Sequence, residues 1–470
     1  MSSFPPSPDG GVILHLGLGA FHRAHQAVYL QQLIELGDTR WSISAGNIRP
    51  DPSGVLDALR AQQGVYILET ISPAADHRYQ RIAALREVLP YDPSLASLVE
   101  RGADPATRIV SFTVTEAGYY LGPDHRLDPS HPDLASDLRG DTRLTLYAAL
   151  ATLLQARMVR GSGPLTLLNC DNLRHNGDRV RAGLLEFLEL RGLHALRNWV
   201  ETHTTCPNAM VDRITPRPAP EVRERVRAAT GFDDAAALMA EDFIQWVIED
   251  RFCNGRPAWE AVGVQMVASV SPYEEAKIRI LNAAHSAIAW AGTLAGHRYI
   301  HEGTHDPRIR QLAHDYITDD VLPCLHSPEH PSPIDLAAYR DTVLDRFGNP
   351  AIRDTNQRVA MDGFSKIPGF VAPTVRERLA QGASIRAVAR LPALFLAFLQ
   401  MWHRGELPYA YHDQGMDPAV AHAICDSADP VAALCSDPGL WGSAAGHPGL
   451  IAAVRRACED VRIFSGVPLA

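Results

Sequence analysis

Apolar and polar positions change rhythm along this chain. From the N-terminus to about residue 270, short apolar runs rich in β-branched residues alternate with stretches of helical spacing. That is the pattern of a parallel sheet with helices wound over both faces. The candidate strands run from Val12 to Leu16, Trp41 to Gly46, Tyr66 to Thr70, Ile109 to Thr113, Leu165 to Leu168 and Val262 to Val270. Beyond about residue 272 apolar residues recur at helical spacing through 277–299, 307–322, 374–382 and 385–403, and no convincing β-run remains. The spacing therefore predicts a doubly wound α/β domain over residues 1–272 and a mostly helical domain over residues 273–470. The proline-rich stretch from His326 to Pro333 and the Asp429-Pro430 step read as loops.

The first strand turns through Gly17 and Gly19 into an amphipathic helix expected to run to about Gly37. Glycines at such a turn let the backbone approach a pyrophosphate, and the amides and dipole at the start of the helix attract it, as in a Rossmann dinucleotide site. The third glycine of the usual fingerprint is absent, since His22 stands there. In such sheets ligands sit beyond the carboxyl ends of the strands. Two polar, glycine-containing segments fall there: Thr113 to Gly118, which includes Thr115 and Glu116, and Asn169 to Gly177. Asp51, after the second strand, is the candidate acceptor for the ribose hydroxyls of NAD, although Arg49 beside it could instead serve a 2′-phosphate.

The run from Tyr273 to Ser286 carries the remaining chemistry. On a regular α-helix Lys277, His285 and Asn282 project at roughly 0°, 80° and 140°, so the three share one face. A base, an oxyanion donor and a hydroxyl-holding imidazole suit removal of a proton from an alcohol without a metal. For Lys277 to act near neutral pH it would have to titrate several units below the ordinary lysine value of about 10.4.

Composition narrows the partners. The chain has 470 residues, 46% of them hydrophobic, and a formal net charge of −10 without a dense Lys/Arg stripe. Nucleic acid and anionic membranes need clustered positive charge, so a small molecule is the expected partner, and the oligomeric state stays open, with a monomer sufficient. The longest apolar run, Leu391 to Leu399, is far too short to span a bilayer and reads as a buried helix. No export signal is visible at the start and the seven cysteines form no C-x-x-C pair, which fits a cytoplasmic protein with reduced thiols and no bound metal. His301-Glu-Gly-Thr-His305 matches a zinc-hydrolase pattern, but Gly303 inside it argues against the continuous helix that pattern requires.

Five segments together, Gly17 to His25, Thr113 to Tyr119, Cys170 to Asn172, Val211 to Pro216 and Lys277 to His285, resemble the polyol-specific long-chain dehydrogenases, the mannitol dehydrogenase family, over nearly the whole length. The resemblance implies a nicotinamide-dependent oxidoreductase acting on a secondary alcohol, with NAD as cofactor and a polyol/ketose pair as substrate and product. It implies that Gly17, Gly19, Ala20, Phe21 and Arg23 belong to the nucleotide loop, which in the family carries an aromatic and His-Arg after the second glycine. It further implies that Lys277 is the general base, that Asn172 and Asn282 hold the reacting oxygen, and that His285 orients the substrate. Glu274 would pass the proton outward, and Asp212, Arg358 and Lys366 would line or support the polyol pocket. Within the family, the runs Asp354 to Pro368 and Trp41 to Arg49 most resemble members acting on D-arabinitol, implying oxidation to D-xylulose. Mannitol oxidation, hexuronate reduction and a non-catalytic NADH sensor are the competing expectations.

Overall fold

The computed structural model describes residues 10–122 and 126–465, except for the side chains of Glu116, Ala117 and Ser465. Contacts divide the chain into two units, Met1–Ser72 with Asp76–Ser271, and Pro73–Ala75 with Pro272–Ala470.

The first unit is built on strands β1 (Gly11–Leu16), β2 (Trp41–Gly46), β3 (Tyr66–Ile71), β4 (His77–Ile82), β5 (Leu85–Val88), β6 (Thr107–Phe112), β7 (Leu165–Asn169), β8 (Thr204–Thr205), β9 (Ala209–Asp212), β10 (Leu238–Glu241), β11 (Gln245–Glu249) and β12 (Gln265–Val267). Six of them form one parallel sheet in the order β5-β2-β1-β6-β7-β8. Alternate residues of β1 feed opposite cores: Ile13 packs with Ala27, Leu30 and Leu33, whereas Leu14 and Leu16 pack with Leu150 and Leu154. This two-residue alternation under helices on both sides is what a doubly wound sheet requires. The chain leaves β1 toward β2 on one flank and β6 on the other, so a crevice opens at the carboxyl ends of β1 and β6.

Two details depart from the pattern read in the sequence. The run at Tyr66 does form a strand, but it joins a separate three-stranded sheet in the order β10-β3-β4. The stretch from Val262 to Val270 is no continuous strand: a 3₁₀ turn covers Trp259–Val262, and only β12 pairs, with β11. Gly263 in the left-handed region (φ +91°) breaks the run where hydrophobicity alone suggested continuity.

The second unit is helical, and its sole β-pairing among the described residues is the isolated bridge Tyr299 to Thr355. The helix Arg390–His403 buries every residue from Leu391 to Leu399 and packs against the helix Ala283–Leu294, whose Ala-rich faces allow close approach. Among the described residues no helix is long and apolar enough to cross a membrane.

Candidate active site

In the first unit the turn after β1 is held by its own backbone. Gly17 adopts φ +96°, its N–H donates to Gly46 O at 2.9 Å, and its carbonyl accepts from Gly19 N at 2.7 Å and Thr113 Oγ1 at 3.1 Å. A Cβ on Gly17 would lie 2.3 Å from Thr113 O, so only glycine fits. Helix α1 (Ala20–Ala24) follows, and the amides of Ala20, Phe21 and His22 find no acceptor among the described residues. The helix does not run unbroken to Gly37. It bends at His25 (φ −125°, ψ −83°) before α2 (Gln26–Glu35) continues.

His22 explains the missing third glycine. That position normally stays small for close helix–strand packing, and here the imidazole stacks flat on His15 of β1, ring centroids 3.4 Å apart. Burial holds both rings well below their ordinary pKa, so they pack as neutral groups. The Arg23 side chain turns into the core. Its guanidinium is buried, donates to Ala236 O and Gly19 O, and lies over the Tyr66 ring, so it props the turn from within the core.

A cavity of about 230 Å³ lies beside this turn, lined in part by Gly17, Arg49, Asp51, Thr113 and Tyr120. Asp51 is partly committed: it accepts from Ser53 N at 2.9 Å and from Leu56 N, in the first turn of the helix α3 (Val55–Ala61), at 2.8 Å. Burial opposes ionisation of Asp51, but these bonds outweigh it and hold the carboxyl below its usual value. Arg49 is engaged as well, donating to Asp133 Oδ2 at 2.6 Å, Tyr120 Oη at 2.7 Å and Leu144 O at 3.0 Å.

The segment after β6 is strained where a ligand was expected. Thr115, a β-branched residue, sits at φ +65°, a conformation that persists only when its surroundings impose it. What imposes it is Asp171, which the sequence reading passed over. Its carboxylate accepts from the amides of Val114 and Thr115 at 3.0 Å and from the Tyr119 hydroxyl. Asp171 thereby ties the segment after β6 to the loop carrying exposed Asn172 after β7. The Glu116 side chain lies outside the described residues, while Asp212 is buried at the end of β9.

In the second unit the decisive stretch is a composite helix. It is α-helical over α4 (Ser271–Ala276), π-helical over Lys277–Asn282 and α-helical again over α5 (Ala283–Leu294). This changes the expected angular placement. A π turn bonds residue i to i+5, so Asn282 comes round closer to Lys277 than the roughly 140° of α spacing. Glu274 and Lys277 are buried, three residues apart and hence neighbours along the helix.

His285, on α5, stacks on Phe347 of α6 (Leu336–Phe347), centroids 4.4 Å apart, and its Nε2 lies 3.4 Å from Asp354 Oδ2. Arg358, on α7 (Asn356–Ala360), donates through Nε to Asp354 Oδ1 at 2.6 Å, while the side chain remains 66% exposed. Lys366 closes the short helix α8 (Gly363–Lys366), is half-buried, and donates to Val359 O at 2.6 Å. Burial and the nearby Arg358 push its ammonium down to about 8, against the pull of Asp362. His285 thus acts electrostatically with Arg358 and Lys366, more than seventy positions later in the sequence, around Asp354.

The His301-Glu302-x-x-His305 segment does form a continuous helix, Ile300–His305, in spite of Gly303. Its glutamate nevertheless accepts from the amides of Arg298 and Tyr299, capping its own helix. Among the described residues no group of three His, Cys, Asp or Glu side chains is arranged to hold a metal ion.

Both halves of the chain match family models. Residues 11–261 match the mannitol dehydrogenase Rossmann domain and residues 269–462 the mannitol dehydrogenase C-terminal domain. The chain belongs to the mannitol dehydrogenase family. This family member is 60% identical over 447 residues to a D-arabinitol 4-dehydrogenase of Ralstonia nicotianae, covering 94% of this chain and 95% of that one. It is 53% identical over 448 residues to a D-arabinitol 4-dehydrogenase of Klebsiella pneumoniae, covering 95% and 97%. The fold matches Pseudomonas fluorescens mannitol 2-dehydrogenase, solved as a ternary complex with NAD and D-mannitol, with a TM-score of 0.80 and 33% identity over 98% of this chain and 96% of that one. Membership in this family makes the chain an oxidoreductase with a nicotinamide-binding fold.

Proposed function

We propose that this protein is an NAD-dependent D-arabinitol 4-dehydrogenase, oxidising the C4 hydroxyl to give D-xylulose. The observation that supports the chemistry is the π turn at Lys277–Asn282, which narrows the angle between these two residues on the helix that also bears His285. The substrate rests on the two D-arabinitol 4-dehydrogenase relatives, at 60% and 53% identity.

The first unit fits a dinucleotide. Gly17 leaves room where a side chain would collide with Thr113, and the amides of Ala20, Phe21 and His22 are available to phosphate oxygens. The engagement of Arg49 by Asp133 supports NAD over its 2′-phosphorylated counterpart, as does the NAD bound in the Pseudomonas fluorescens relative. When bound, NAD supplies the hydride acceptor. The chain's own residues do the rest: Lys277, as neutral amine, takes the hydroxyl proton and Glu274 passes it outward. Asn172 and Asn282 donate to the oxygen as it gains negative character, which lowers the barrier to losing the hydride from its carbon. His285, Arg358, Lys366 and Asp212 hold the remaining hydroxyls or support those that do.

The test is a turnover screen at 340 nm with D-arabinitol, D-mannitol and fructuronate under one set of conditions. D-Arabinitol should give the highest kcat/KM. Preference for either rival would move the protein to another branch of the family, and NADH binding without turnover of any polyol would make it a sensor.

Lys366 adds a pH signature of its own. As a lysine titrating at about 8, it is a cation below that pH and neutral above it. The KM for the polyol should therefore climb as pH rises through about 8, and Lys366→Arg should flatten that climb, because an arginine keeps its charge. A KM in the wild type that does not vary between pH 7 and 9.5 would place Lys366 outside the polyol contact.

A further inference from the structure

Asp354 has no assigned role, yet it is the group on which two proposed substrate contacts converge. Its side chain is 9% exposed and faces His285 Nε2 at 3.4 Å on one side and the Arg358 guanidinium on the other. The backbone around it is fixed: its carbonyl accepts from Ile300 N at 2.9 Å, and the next residue, Thr355, bridges to Tyr299 and caps α7 through Arg358 N at 3.2 Å. Phe347 holds the plane of the His285 ring from one face. The imidazole is thus clamped in plane by one residue and aimed by another.

A carboxylate accepts and cannot donate, so the imidazole nitrogen facing it must carry the proton. Nε2 is buried with no hydrogen-bond partner among the described residues, so the carboxylate 3.4 Å away is the group it faces, and the other nitrogen, Nδ1, is then an acceptor. Arg358 keeps its outer N–H groups as donors, since the same carboxylate engages only one edge of its fork.

We propose that Asp354 is a positioning residue that fixes His285 as an acceptor and Arg358 as a donor, so that together they read adjacent hydroxyls of the substrate. A vicinal diol satisfies such a pair by donating with one hydroxyl and accepting with its neighbour. The assignment builds on the polyol reading above and deepens it. The electrostatics agree: the facing imidazole and the hydrogen bonds and charge of Arg358 outweigh burial and keep Asp354 ionised. The charged groups acting on His285 are Asp354, Arg358 and Lys366. Burial dominates and holds the ring below its ordinary value, with Asp354 pulling the other way.

The experiment compares the wild type with Asp354→Asn. Loss of the carboxylate charge that faces His285 and holds Arg358 should raise the KM for D-arabinitol by about tenfold or more, with a smaller change in kcat and unaltered NADH affinity. Without the carboxylate's pull the imidazole pKa falls, so the acid limb of log(kcat/KM) should move to lower pH. In a His285→Gln background the same substitution should cost far less, because the two act as a unit. The ¹⁵N spectrum of the imidazole, assigned by its disappearance in His285→Gln, should show the Nε2–H tautomer in the wild type and a mixture in Asp354→Asn. A KM within twofold of the wild type, an unmoved acid limb or an unchanged tautomer in a folded variant would overturn the proposal. The tautomer is read without turnover, so an enzyme inactive on pentitols would sink the substrate assignment while leaving this one to be decided by the spectrum.

Discussion

Replacing Lys277 by methionine should lower kcat for polyol oxidation by about three orders of magnitude, within the 10²–10⁴ range that positioned proton transfer contributes. Methionine keeps much of the length and apolar stem of the side chain, which matters because Lys277 is only 6% exposed and an open cavity would confuse the result. The loss should appear equally in kcat and kcat/KM, since the proton is taken only as the hydride departs, and NADH affinity should not change. The pH profile separates this from general damage. Only a neutral amine can accept a proton, so wild-type oxidation should quicken with rising pH while ketose reduction, which needs the protonated form, favours lower pH. The variant should lose this opposition between the two directions. A methionine enzyme with full pentitol oxidation, or a wild type whose two directions share one flat profile, would remove Lys277 from the chemistry.

The second large effect concerns Gly17→Val. A valine there must adopt φ +96° and place its Cβ 2.3 Å from the Thr113 backbone carbonyl, just beyond β6. Left-handed strain and the collision together should cost roughly 3 kcal/mol or more, which corresponds to about a hundredfold weaker NADH binding if the turn pays by shifting. A fluorescence titration with NADH measures this, and a thermal melt run beside it shows how much of the cost falls on folding. Gly37→Ala is the control: it also has a positive φ, but nothing lies within 4 Å of its added Cβ. Equal NADH affinity in Gly17→Val and the wild type would show that the turn does not approach the cofactor.

Much of the fold is legible in the sequence. The nucleotide turn declared itself because an apolar run, two glycines and a helical stretch obey local rules, and five of six candidate strands formed where their β-branched residues suggested. The failures have physical causes. Whether Tyr66–Ile71 joins the main sheet is a question of long-range pairing, which its own hydrophobicity does not encode. That Arg23, assigned to the nucleotide loop by resemblance alone, bonds a carbonyl at Ala236, more than two hundred residues away, is likewise nothing local spacing encodes. The π turn left no trace in the spacing, because one extra residue in a single turn barely disturbs the local apolar pattern. Asp354 could have been noticed: an acid four residues before Arg358 is the ordinary helical ion-pair spacing. Its second partner, His285, lies 69 positions away and could not.

The wide turn at Lys277–Asn282 also sets a limit on how this enzyme can be hardened. Regular α spacing is the commoner and more cooperative arrangement, so substitutions that tighten the segment should be among the easiest routes to a higher melting temperature, and each would swing the amide away from the amine. Selection for heat tolerance alone should therefore yield robust proteins that no longer turn over, unless the screen also demands catalysis.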